Sequence, residues 1–147
     1  MENQVNDLNL LLSNLNVFYR KLQNYHWNVF GNDFFTVHEK LEEYYNEVNE
    51  QIDEIAEHIL MIGGQPLGTM KEYLNTTRIT EAQNIKIESK KIFENVMKDL
   101  DILLKQVTDI KKKADDNQNY ATSSLMDEYI SSYIKKLWMI KQCIAQN

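Results

Sequence analysis

Residues 36–62 read TVHEKLEEYYNEVNEQIDEIAEHILMI, a run with neither proline nor glycine. Val37, Leu41, Tyr44, Val48, Ile52, Ile55, Ile59 and Ile62 recur within it at steps of three and four, the period of one long amphipathic helix. With His38 at zero and about 100° added per residue, Glu42 falls at about 40°, Asp53 at about 60° and Glu57 at about 100°. These three therefore share a face with His38. The apolar stripe points to about −80°, and Glu39, Glu43, Glu47 and Glu54 occupy roughly 100–180°. The His38–Glu57 stripe thus lies between core and acidic face, a border suited to contact with another subunit.

Imidazole and carboxylate together are the ligand types that hold iron, zinc or manganese. His26 joins the set from the preceding segment. His38 and Asp53 lie about 22 Å apart along the helix axis at about 1.5 Å per residue, so one ion in one chain does not reach both. If all four residues serve one centre, a second copy must run antiparallel, the histidine end of one helix facing the carboxylate end of the other. A two-fold dimer supplies that arrangement and makes two equivalent sites.

Upstream, apolar or aromatic residues at 8, 12, 15, 19, 22, 26 and 29 predict a first helix over about 4–30, with His26 in its stripe. Gly31, Asn32 and Asp33 break it, and Asp33 is the expected N-cap of the second helix. Gly63 and Gly64 are its expected C-cap residues. Residues 65–80 are too long for a tight hairpin, and Thr69–Glu72 fits a capping box opening a short helix through about Leu74. A third long helix is expected from Thr80 or Glu81, carrying Ile85, Ile92, Val96, Leu103, Val107 and Ile110. After a polar turn at Asp115–Asn119, a fourth carries Leu125, Tyr129, Tyr133, Leu137, Ile140 and Ile144. Four long helices with a long crossover between the second and third describe an all-α, ferritin-like four-helix bundle with a short helix in the crossover.

The 147 residues are expected to form a single domain, 1–147, large enough for a sizeable core. The lone Cys143 excludes a disulfide within the chain and a cysteine-rich zinc site, and reads as a small packed side chain. The N-terminal residues form no signal-peptide pattern, and no apolar stretch approaches the ~20 residues that span a bilayer, so a cytoplasmic setting without membrane contact is expected. Net charge is −6. With no Lys/Arg-rich arm, direct DNA binding is disfavoured. Lys111–Lys113 is the one basic block, and Asp115 and Asp116 follow it, so it reads as a solvated helix end.

Taken singly, these residues have ordinary roles. A histidine on an apolar stripe is commonly a satisfied core side chain, and His38 with Glu42 is commonly a surface pair. Asp53 and Glu57 are more pointed, because like charges four apart destabilise a helix unless a cation lies between them. His58, near 200°, falls off the stripe and reads as structural or exposed. The Glu-x-x-His motif of di-iron bundles is absent, since Gln23, Phe35 and Ile55 stand three before the histidines.

The run His26-Trp27-Asn28-Val29-Phe30-Gly31, with Phe34, Phe35, His38, Glu42, Tyr45, Asp53, Ala56 and Glu57, resembles the signature of the Dps family, the miniferritins. The similarity continues through Gly63, Gly64 and Pro66 and reappears at Thr122, Leu125, Trp138 and Met139. The resemblance implies a hollow homododecamer with ferroxidase centres at its two-fold interfaces. Each centre would take two irons, using His26 and His38 from one subunit and Asp53 and Glu57 from its neighbour, with Glu42 assisting the second iron. It also implies Fe(II) and hydrogen peroxide as substrates, stored ferric mineral, and Trp27 beside the centre, where packing is its simpler role. Zinc or manganese are substitutes the ligand set admits. Glu39, Glu43, Glu47, Glu50 and Glu54 line either a mineral cavity or a solvated face. Where the family has pore acids near Thr122, this chain has Asn119, Tyr120 and Ser124, with Asp115, Asp116 and Asp127 near by. Two other classes stay open: a nucleoid protein acting chiefly on DNA, and a shell-like bundle with a structural zinc site.

Overall fold

The computed structural model describes residues 2–145; Met1, Gln146 and Asn147, which the single-domain expectation includes, lie outside the described residues. In chain order the elements are α1 (Glu2–Asn28), β1 (Val29–Phe30), α2 (Phe34–Met61), α3 (Met70–Thr76), β2 (Ile87–Glu88), α4 (Ser89–Asp116) and α5 (Tyr120–Ile144). The fold is ferritin-like: four long helices, with α3 in the crossover between α2 and α4.

The stripes read from the sequence become the core. Leu8, Leu11, Leu12, Leu15 and Leu22 of α1 are fully buried, as are Leu41, Ile55 and Ile59 of α2 and Ile92, Val96, Leu103 and Val107 of α4. Each such side chain contributes about 1.5–3 kcal/mol. From α5 come Met126, Tyr129, Tyr133, Leu137 and Ile140. The helices associate as two pairs, α1 with α2 and α4 with α5, and α1 also packs on α4.

Direction follows from the ends. Lys113 near the end of α4 meets Asp7 near the start of α1 at 3.3 Å. At the other end β1 pairs in parallel with β2, Val29 opposite Ile87. Hence α1 and α4 are antiparallel, α2 and α4 parallel, and the 62–88 connection must travel the bundle's length, about 42 Å for 28 helical residues. Polar side chains of α1 fasten it along the way. Asn9 bonds the Gln65 carbonyl at 3.0 Å and the Leu67 amide at 2.9 Å. Asn14 Oδ1 accepts from the Thr77 hydroxyl and the Arg78 amide, both at 2.8 Å. Lys21 Nζ reaches the Thr80 carbonyl at 2.6 Å and Asp99 at 2.9 Å.

Several boundaries and burials differ from expectation. The first helix ends at Asn28, because Val29 and Phe30 leave it to pair with β2. Asp33 is the N-cap of α2 by position, yet its carboxylate accepts from the Ser89 hydroxyl at 2.6 Å instead of capping the helix. The third long helix begins at Ser89, not at Thr80 or Glu81, since the bonds from Asn14 and Lys21 and the β1–β2 pairing hold the chain out of a helix there. Ile85 is therefore outside any helix and 55% exposed. Cys143 is exposed, not packed, because it stands one position off the stripe that runs through Leu137 and Ile140 to Ile144. The caps fare better. Gly63 adopts φ +89°, with its amide on the Leu60 carbonyl and that of Gly64 on the Ile59 carbonyl, a Schellman ending. The Thr69 side chain accepts from the Glu72 amide at 3.3 Å at the head of α3.

Candidate metal centre

His26 sits in the last turn of α1 and His38 in the second turn of α2, so the break at 29–33 folds one imidazole onto the other. Their rings stack with centroids 3.7 Å apart and planes 9° apart. Each Nδ1 lies against the other residue's backbone carbonyl, at 2.6 Å for His26 and 2.8 Å for His38. A carbonyl only accepts, so both Nδ1 atoms carry the hydrogen, and the nitrogen left to offer a lone pair to a metal is Nε2. This is the tautomer control that metal-binding histidines ordinarily receive from a carbonyl partner.

Glu42, one turn beyond His38, places Oε1 3.9 Å from His26 Nε2. That is less than twice a metal–ligand bond of about 2.0–2.2 Å, so one ion fits between the two atoms. Asp53 and Glu57 stand exposed farther along α2, beside an open acidic hollow with Glu50, Glu54 and Glu128. The single chain therefore gathers His26, His38 and Glu42 at one end and leaves Asp53 and Glu57 at the other. Among the described residues, no three His, Cys, Asp or Glu side chains are placed to hold a metal ion within one chain.

A ferritin-like domain is recognised over residues 5–146. The chain is 39% identical over 139 residues to the DNA protection during starvation protein 2 of Bacillus anthracis, covering 95% of this chain and 94% of that one. The crystal structure of Dps from Staphylococcus aureus superposes with a TM-score of 0.96 at 32% identity, over 100% and 98% of the two chains. A Dps protein from Vibrio cholerae, described as a member of a broad superfamily of ferritin-like diiron-carboxylate proteins, gives 0.95 at 35% identity, over 98% and 90%. The chain belongs to the Dps family.

Around the imidazole pair this Dps chain builds an aromatic wall whose roles sequence reasoning missed. Phe34 stacks on His38 with centroids 4.8 Å apart. Tyr45 meets His26 edge-on at 5.3 Å, and its hydroxyl donates to Glu42 Oε1 at 3.2 Å. The signal for Tyr45 was its place three residues after Glu42, on the same helix face. Burial, then the charge and hydrogen bond of Glu42, raise the Tyr45 phenol above its ordinary range, so the hydroxyl remains a donor. Trp27 is exposed, with the Arg20 guanidinium 5.8 Å from its ring centroid.

Two further α2 acids are tied to α5. Glu47 binds Ser132 and Lys136, both at 2.6 Å, and Glu54 accepts from the Tyr129 hydroxyl at 2.6 Å. Glu39, Glu43 and Glu50 stay exposed. His58 proves structural: it is buried, and its Nε2 faces the Thr122 hydroxyl at 2.8 Å, which in turn donates to Gln4. Burial holds its imidazole below the usual histidine range, against the opposing pull of Glu54. Of the residues near the expected pores, Tyr120 is exposed, Ser124 borders the acidic hollow, and Asp127 pairs with Lys111 at 2.9 Å.

Proposed function

We propose that the whole chain, as one domain, is the subunit of a cytoplasmic miniferritin. It takes Fe(II) as substrate at centres shared between two antiparallel copies, oxidises it preferentially with hydrogen peroxide, and stores the ferric product inside a hollow dodecamer. His26, His38 and Glu42 of one subunit would meet Asp53 and Glu57 of the next.

One observation carries the reading: two stacked imidazoles, each with Nδ1 on a backbone carbonyl so that Nε2 is the nitrogen left for a metal, beside Glu42 and, among the described residues, with no complete ligand set in the same chain. Neutral nitrogen and carboxylate oxygen suit Fe(II), and also zinc or manganese, and no thiolate is present to favour copper(I). Two Fe(II) held together each give up one electron. One hydrogen peroxide then takes both electrons and two protons, its O–O bond breaks, and two waters form without release of a hydroxyl radical. Affiliation with the family that includes a ferritin-like diiron-carboxylate protein supports iron as the metal.

The test is complementation. A His26→Ala/His38→Ala subunit and an Asp53→Ala/Glu57→Ala subunit should each be inactive, and co-assembled particles should regain a share of peroxide-driven Fe(II) oxidation. No recovery in verified mixed particles overturns the shared centre.

A further inference from the structure

We propose that Tyr45 is the positioning residue that makes Glu42 a metal ligand. The proposal rests on the metal-centre reading and deepens it.

Glu42 has a side chain 52% exposed, and an exposed glutamate left alone spreads over many rotamers. Here one of its oxygens, Oε1, accepts the Tyr45 hydroxyl at 3.2 Å and lies 3.9 Å from His26 Nε2. The same atom is thus held by a donor on one side and faces His26 Nε2 on the other. Tyr45 is itself fixed from two directions on α1. Its ring meets His26 edge-on, centroids 5.3 Å apart and planes at 80°, and meets Tyr19 edge-on at 5.8 Å and 86°. The Tyr19 hydroxyl is in turn bonded by Gln23 at 3.2 Å. A carboxylate oxygen has lone pairs for both a hydrogen bond and an ion, so the Tyr45 bond orients Glu42 without consuming it. Bonds of this kind to ligating carboxylates govern metal affinity, and their removal costs about 10–100-fold.

Tyr45→Phe keeps the ring between His26 and Tyr19 and removes only the hydroxyl. Anaerobic Co(II) titration of the assembled protein, read by visible absorption, reports binding without any turnover. Tyr45→Phe should weaken Co(II) binding by about tenfold, with thermal stability little changed. Glu42→Gln should weaken it at least as much. The double variant should be no weaker than Glu42→Gln alone, because the hydroxyl acts only through that carboxylate. Additive losses, or wild-type affinity in Tyr45→Phe, overturn the proposal while the centre stands. Wild-type affinity in Glu42→Gln also overturns it, since Glu42 is then no ligand. A wild-type protein that takes up no Co(II) removes the centre and the proposal together.

Discussion

What the two histidines offer depends on two carbonyl contacts more than on their identity. Residue type alone favoured His26 as a core side chain, and buried it is, with 6% of its surface exposed; its stack on His38 is what makes it a candidate ligand as well. The spacing of His38, Asp53 and Glu57 on one helix face was legible, as was the axial separation that stops them converging within a chain. The ring stack and its tautomer were not, because they depend on how the 29–33 break folds α1 against α2. Chain length of the side chains now distinguishes the carboxylates. In the proposed shared centre the longer Glu57 would be the carboxylate able to offer one oxygen to each of two ions, and the shorter Asp53 would serve one. Glu57→Gln is therefore expected to abolish rapid peroxide-driven Fe(II) oxidation in stopped-flow measurements, and Glu42→Gln only to slow it. Equal, small effects would mean the bridge is misassigned, and an unaffected Glu57→Gln would remove the ferroxidase reading.

The helices announced themselves through apolar steps and through Gly31, Gly63 and Gly64. What stayed hidden was decided by contacts distant in sequence. Residues 77–88 carry no proline or glycine, yet bonds from Asn14 and Lys21 of α1 keep them out of a helix. The turn after α4 has Gln118 at φ 58°, a left-handed position that glycine would ordinarily mark. The buried Lys21–Asp99 pair joins α1 to α4, both side chains less than a tenth exposed. Lys21→Met should destabilise the fold by about 3–5 kcal/mol by stranding the carboxylate, and Lys21→Met/Asp99→Leu should recover most of that loss. Denaturant midpoints of the two variants test it. Between α2 and α5 the clamp is Glu47. Burial pushes its carboxyl up, but the bonds from Lys136 and Ser132 and the Lys136 charge outweigh this and hold it below the ordinary value. A lowered folded value means the clamp stabilises the protein above about 4.5, the unfolded value, and loses that contribution as pH falls through the folded one. Lys136→Met should flatten this part of the acid limb in thermal melts from pH 6 to 3, and an unchanged limb would mean that the clamp contributes nothing measurable.

The assembled surface raises a different question, because relatives such as that of Bacillus anthracis are named for protecting DNA. Binding a duplex requires cations free to displace its counterions, and affinity falls steeply with salt according to how many do so. This chain has 16 Lys and Arg against 22 Asp and Glu. Several of those cations are also engaged internally. Lys111 is paired with Asp127 and Asp115, Lys113 with Asp7 and Asp109, Lys40 with Glu43, and Lys136 with Glu47, while Lys21 is buried. The one basic block of the sequence thus has its first and third members tied to carboxylates of the same chain. A particle made of such subunits multiplies the negative charge, so its field repels phosphate at long range as well as at contact. Divalent ions bridging surface acids to phosphate are the route by which DNA would still adhere. The purified assembly should therefore give no tight mobility shift at about 150 mM salt and neutral pH once a chelator is present, and any shift seen without chelator should vanish when it is added. A tight shift that survives the chelator would require a basic surface that the charges of one subunit do not supply, and would move DNA binding from a side effect to a primary role.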